Sequence, residues 1–143
     1  MTARRSRLRS ERGSTLVTFL LLFPLFLAFL ELIVIGGRVA TTRADVTSAA
    51  REAARQASVA AGPGSAPSVI GEAASVALAG KGFSCLSPGT VLGPGTNFVA
   101  GGQVEVVVVC RVSFADISLL PVPGSMIVTG TGVEPIDRFR VVD

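Results

Sequence analysis

The chain has 143 residues, enough for one compact domain plus a membrane segment. It has no His, Trp or Tyr and a single lysine, Lys81; with no P-loop, nucleophile motif or metal-ligand set either, the sequence points away from an enzyme and calls for no cofactor or small-molecule substrate. The net charge of +3 sits at one end: residues 1–13 carry five arginines against one glutamate, whereas residues 36–143 carry eight basic and eight acidic residues, so the body has no net field to attract nucleic acid.

The arginines Arg4, Arg5, Arg7, Arg9 and Arg12 precede an apolar run, Ser14 to Ile35, in which sixteen of 22 residues are Leu, Ile, Val or Phe. As a helix the run is about 33 Å long, against a hydrocarbon core of ~30 Å. Its aliphatic and aromatic residues supply roughly −5 to −10 kcal/mol of insertion free energy, and Glu31 opposes this by at most ~3 kcal/mol. Insertion therefore wins, and membrane lipid is an expected partner. The arginine-rich tail predicts a cytoplasmic N-terminus and an extracytoplasmic body by the positive-inside rule, despite Arg38 and Arg43 beyond the far end. Pro24 is expected to kink or loosen the helix. An ordinary secretory signal is a poorer reading, because the run exceeds the usual h-region of ~7–15 residues and a cut after Ala40 would need a small residue where Arg38 stands. A plain uncleaved anchor is the other alternative.

A basic leader, a glycine and then one long apolar helix is the arrangement of pilin-type precursors, which prepilin peptidase cuts after the glycine. Here that bond is Gly13–Ser14, which makes the peptidase an expected partner and Ser14 the expected mature N-terminus. The fifth mature residue is Thr18, where most pilins carry a glutamate thought to pair with a neighbour's terminal amine. A neutral hydroxyl can hydrogen-bond there but cannot neutralise an ammonium group. Glu31 is the only ionisable group in the span. It reads either as a contact handle between subunit helices or as a tolerated residue near the interface.

From Arg38 to Ala61 the helix is expected to continue, with Val39, Val46, Ala50, Ala53, Ala57 and Ala60 on one stripe. Such a small-residue stripe permits close approach of a sheet or a second helix. Glu52 and Arg55, three apart, are expected to support this helix, and Gly36-Gly37 to act as a hinge. Gly62 to Pro67 breaks the pattern. A second helix is expected over Ser68 to Gly80, capped by Ser68 and with Glu72 in its first turn. A short strand is expected near Phe83 to Leu86, with a loop from there to Gly102. Gln103 to Phe114 alternates cleanly, its even positions Val104, Val106, Val108, Cys110, Val112 and Phe114 all apolar, as a strand buried on one side requires. Pro121 to Ser125 is a turn signal. Met126 to Val133 reads as a strand weakened by Gly130 and Gly132, and Arg138 to Val142 as a short edge strand. The expected class is α+β: a long pilin-like N-terminal helix, a second short helix and a small antiparallel sheet. Cys85 and Cys110 are the only cysteines. An even count in an extracytoplasmic body favours one disulfide between them.

These features together resemble the TadE-like pseudopilins (TadE/TadF) of bacterial tight-adherence, or Flp-type, pilus systems. The resemblance is carried by Glu11-Arg12-Gly13-Ser14 with the following span, Pro24, Glu31-Leu32, and Ala49-Ala50-Arg51-Glu52-Ala53-Ala54-Arg55. The ending Val133-Glu134-Pro135-Ile136-Asp137-Arg138-Phe139-Arg140 is similar to that of actinobacterial members. Thr18 is the main departure. The resemblance implies a minor pilin or assembly factor processed by prepilin peptidase, acting with other pilus subunits in adhesion. The organisation expected is a basic leader (1–13), a transmembrane helix (14–35), a helical extension (36–61) and a small α+β domain (62–143). A membrane-tethered binding or envelope module unrelated to pili is the competing class.

Overall fold

The structure, a computed structural model, describes residues 3–60, 62–119 and 123–139, with side chains from residue 16 onward. It divides into two compact units, Met1–Gly36 and Gly37–Asp143. Along the chain lie helix α1 (Ala3–Val59), helix α2 (Ala66–Leu78), strand β1 (Gly89–Leu92), strand β2 (Gln103–Ser113), the single turn α3 (Phe114–Ile117) and strand β3 (Ser125–Pro135). The class is α+β, as the sequence predicts.

In the first unit, the described part of α1 runs from Ala3, so the backbone of residues 3–13 is itself helical, and the helix continues through Pro24. Its apolar side chains are largely exposed: Phe19, Leu21 and Leu32 are 65%, 72% and 64% exposed. Gly36 and Gly37, the expected hinge, are helical, and they flank the boundary between the two units.

The second unit is a three-stranded antiparallel meander in the order β1-β2-β3, with helices on one face. The β2–β3 register sets Val106 beside Gly132, Val108 beside Gly130 and Cys110 beside Val128. The side chains of Val104, Val106, Val108, Cys110 and Val112 are buried, which is the alternation the sequence shows. Ala49, Ala50, Ala53, Ala54 and Ala57 of α1 close over this face, with Ile70, Ala74 and Leu78 of α2 beside them. α2 lies against β1, where a Cβ on Gly71 would sit 3.8 Å from the Thr90 hydroxyl.

The glycines of β3 do more than weaken a strand. A Cβ on Gly130 would lie 2.6 Å from the Thr47 nitrogen and the Val46 carbonyl carbon, and one on Gly132 would strike the Ala50 carbonyl and the Arg51 nitrogen. Helix backbone therefore rests directly on strand backbone. Two residues of strand rise by ~6.8 Å and four of helix by ~6 Å, so α1 and β3 run side by side in one direction.

Several expectations are corrected. α2 starts at Ala66, with Pro67 in its first turn and Ser65 at the N-cap position. Proline is welcome there because the N–H it lacks would have no helical partner, so the breaker ends before it rather than after it. Ser68 is inside the first turn, its hydroxyl donating to the Ser65 carbonyl, and Glu72 lies beyond that turn. Glu52 accepts from Gln56 at 2.8 Å and makes no ion pair with Arg55. The strand expected at Phe83 to Leu86 is a single bridge, Cys85 to Val112, with Leu86 N–H donating to the Arg111 carbonyl. Pro88, with no N–H to donate, interrupts that edge, and pairing resumes as β1 in what the sequence presents as loop. β2 stops at Ser113, whose side chain accepts from Ala115 N–H and caps α3, so Phe114 leaves the sheet. Arg138 and Phe139 form a turn rather than an edge strand. The rest of that expected strand, and Pro121 and Val122 of the turn signal, lie outside the described residues.

Gly132→Ala is expected to destabilise the protein by about 1–3 kcal/mol, because neither backbone can yield without moving its whole element. Gly36→Ala, with nothing within 4 Å of the new methyl, is expected to be neutral or to gain up to ~1 kcal/mol of helix propensity. Thermal unfolding of the detergent-solubilised full chain, followed by circular dichroism, checks the pair.

Candidate functional site

Of the residues singled out from the sequence, the N-terminal set lies along α1. Gly13 and Ser14 are helical, so the bond between them sits inside a hydrogen-bonded backbone. Thr18 and Glu31 are thirteen residues apart on the same helix, about 20 Å along its axis and on different faces. The structure does not bring them together. Thr18 is exposed and Glu31 half-buried. Leu22, Leu25, Phe26 and Phe29 recur at helical spacing and form one apolar groove, while Phe19 and Phe23 stack a turn apart with ring centroids 5.7 Å apart. The described helix from Leu16 onward is long and apolar enough to cross a membrane, with mean hydropathy 2.6 over its most apolar stretch.

The other predicted pair does meet. Cys85 and Cys110 form a disulfide with a Cα separation of 5.4 Å. Cys110 points from β2 into the core, as its even position in the alternation requires. Cys85 arrives on the bridge beside Val112, so the bond fastens the segment after α2 to the edge of the sheet.

The second unit also presents two features that sequence reading did not anticipate. One is a mixed-charge cleft of about 350 Å³ that collects Arg38, Thr42 and Asp45 from α1, Lys81 from the loop after α2, and Asp116 from α3. Lys81 pairs with Asp45 at 3.3 Å. The Arg38 guanidinium donates to the Asp116 carbonyl, and the Asp116 carboxylate accepts from Ser84 N–H at 3.0 Å. Thr42, buried, donates to the Arg38 carbonyl at 2.8 Å. The cleft therefore laces three elements together with its own polar groups. Only the fold assembles it, and no spacing in the chain announces it. The second feature is a groove of about 320 Å³ between α1 and α2, floored by Val69, Ala73, Val76 and Ala77 and edged by Glu52 and Glu72. Among the described residues no group of His, Cys, Asp or Glu is arranged to hold a metal ion.

The fold and the N-terminal helix define a class: a small α+β protein with one long apolar helix suited to anchoring it in a membrane. Within that class the chain is similar to one family over part of its length: the family model described as TadE-like protein matches residues 13–55, from Gly13 through the apolar stretch to the end of the Ala-Arg-Glu segment. No curated protein and no solved structure matches the chain.

Reducing the disulfide, which spans a separation of 25 residues, is expected to cost about 3–4 kcal/mol by the entropy of the loop it closes. Lys81→Ala removes an ion pair whose side chains are 40% and 30% exposed, and solvent screening limits its cost to under ~1 kcal/mol. Urea unfolding with and without reductant, and of the variant, orders the two effects.

Proposed function

We propose that the protein is a minor pilin or pseudopilin-like subunit, non-catalytic and anchored by a single membrane helix, that serves assembly of a tight-adherence pilus. The observation that carries this reading is the extent of the TadE-like match, residues 13–55. It covers Gly13, the apolar span and most of the alanine face that packs in the core of the second unit. In this reading residues 1–13 are a cytoplasmic leader, 14–35 cross the membrane, 36–61 extend the helix, and 62–143 complete an extracytoplasmic domain that acts at the cell surface in adhesion. Pilus subunits and prepilin peptidase are its partners.

Gly13 and Ser14 are the processing site. Cutting there removes five arginines and one glutamate and leaves a chain of nearly zero net charge with a new amine at its membrane end. A helical bond must open before a peptidase can hold it, and glycine lowers that cost by ~1 kcal/mol relative to alanine. Thr18 and Glu31 are the proposed helix-contact positions. Because Thr18 cannot neutralise a neighbour's ammonium, the charge pairing proposed for pilin shafts has no partner at that position. The reading therefore favours an accessory or priming subunit over a major one. The competing reading, a tethered envelope-binding module, draws on the mixed-charge cleft around Arg38 and Lys81 and requires an intact N-terminus.

Intact-mass measurement of the membrane-extracted protein separates the two. With an active prepilin peptidase present, the expected mass is that of Ser14 through Asp143, with or without one added methyl group. Gly13→Val is expected to leave the whole chain uncut. A mass of Met1 through Asp143 for the unaltered protein in such cells would sink the pilin-type reading.

A further inference from the structure

We propose that the α1–α2 groove is the docking site for a second copy of this chain, which inserts Arg51 and Arg55 against Glu52 and Glu72 in a parallel two-fold pair. Along α1, Arg51 and Arg55 lie about 40° apart on one exposed ridge, and Glu52 lies about 100° round from Arg51, on the side that faces α2. Both arginines are exposed. Among the described residues no hydrogen bond or ion pair engages either guanidinium, and the Glu72 carboxylate is equally unengaged. A basic ridge and an acidic, apolar-floored groove thus stand side by side on one surface, at the same level along the helix.

Such a surface is its own complement. A two-fold axis parallel to α1 and passing between ridge and groove places the ridge of each copy over the groove of the other. Each arginine stem then covers apolar floor, including Val76, which is 69% exposed in the single chain. The guanidinium reaches carboxylates that can accept it in a bidentate fork. An axis along the helix also keeps both copies of α1 pointing the same way, so both Gly37 ends emerge at the same end of the pair, as two chains anchored in one membrane require. A perpendicular axis would oppose them. The proposal rests on the anchoring part of the functional reading and not on its pilus part.

The test uses the full chain in two differently tagged versions, co-expressed and recovered from membranes in mild detergent. Wild-type copies are expected to co-purify. Arg51→Glu with Arg55→Glu makes ridge and groove both acidic, and Glu52→Arg with Glu72→Arg makes both basic. Each variant alone is expected to lose self-association about tenfold or more through like-charge contact. Mixing the two restores opposite charge at both contacts, and recovery of the mixed pair is the expected result. All four positions lie on the helix surface, and circular dichroism together with an intact Cys85–Cys110 bond verifies the fold of each variant. A monomeric wild type, self-association untouched by either charge reversal, or a mixture that fails to pair would each overturn the proposal, the last two by assigning any association to another surface or partner. A monomer still processed at Gly13–Ser14 refutes the pairing alone, and a paired chain that is never processed refutes the pilus reading alone.

Discussion

A helix can rest on a strand at backbone distance only where neither surface carries bulk. That condition is met where Val46 to Arg51 of α1 cross Gly130 and Gly132 of β3. The alanines at 49, 50, 53, 54 and 57 supply the small side on the helix, and the two glycines remove the side chains beneath. Alanine buries little apolar area, so this contact yields less transfer free energy than a leucine seam would. Its return lies in dense atom-to-atom contact and in defining the register of helix on sheet, because any slip along β3 would drive a Cβ into the helix backbone.

The rest of the second unit is arranged around that close pass. With α1 drawn down onto β3, bulk must come from elsewhere, and β2 supplies it through its row of valines while Ile70 and Ile117 fill the flanks. α2 covers β1, the strand farthest from the glycines, and so completes the layer. The disulfide then secures the segment between α2 and β1, where Pro88 leaves the edge without a continuous ladder. Charge plays a lesser part. The Lys81–Asp45 pair is half in solvent, and the Arg38 and Asp116 contacts tie a turn and a loop to a helix that packing has already placed.

What could be read from the chain follows from which signals are local. The apolar span, most of the alanine stripe (Val46, Ala50, Ala53 and Ala57, though not Ala60, which lies past the end of α1), the alternation of β2 as far as Val112 and the cysteine pair are written in periodicity and composition, and the structure carries them. β1 could not be read, since Gly89 to Leu92 is four residues between glycines and prolines and becomes a strand only because β2 offers an edge. Pro67 reads as a breaker in the sequence and sets the expected start of α2 too late, because a proline in a first turn is compatible with helix. Gly130 and Gly132 read as weaknesses because a strand considered alone gives no hint of what crosses it. The cleft around Arg38 and the acidic groove draw residues from two or three elements distant in sequence, and no window of the chain contains them together.

The seam between α1 and β3 also imposes an order in time. Ala50 and Gly132 meet across 82 residues of chain, and β3 is the last strand among the described residues. At roughly 5–20 residues per second, the alanine face waits about 4–16 s between its own synthesis and that of the strand that covers it. A leucine-rich face left bare for that interval would invite association with whatever apolar surface lay nearby. Alanine makes the waiting helix a poor target for wrong partners, and only a surface as flat as two glycines rewards it fully.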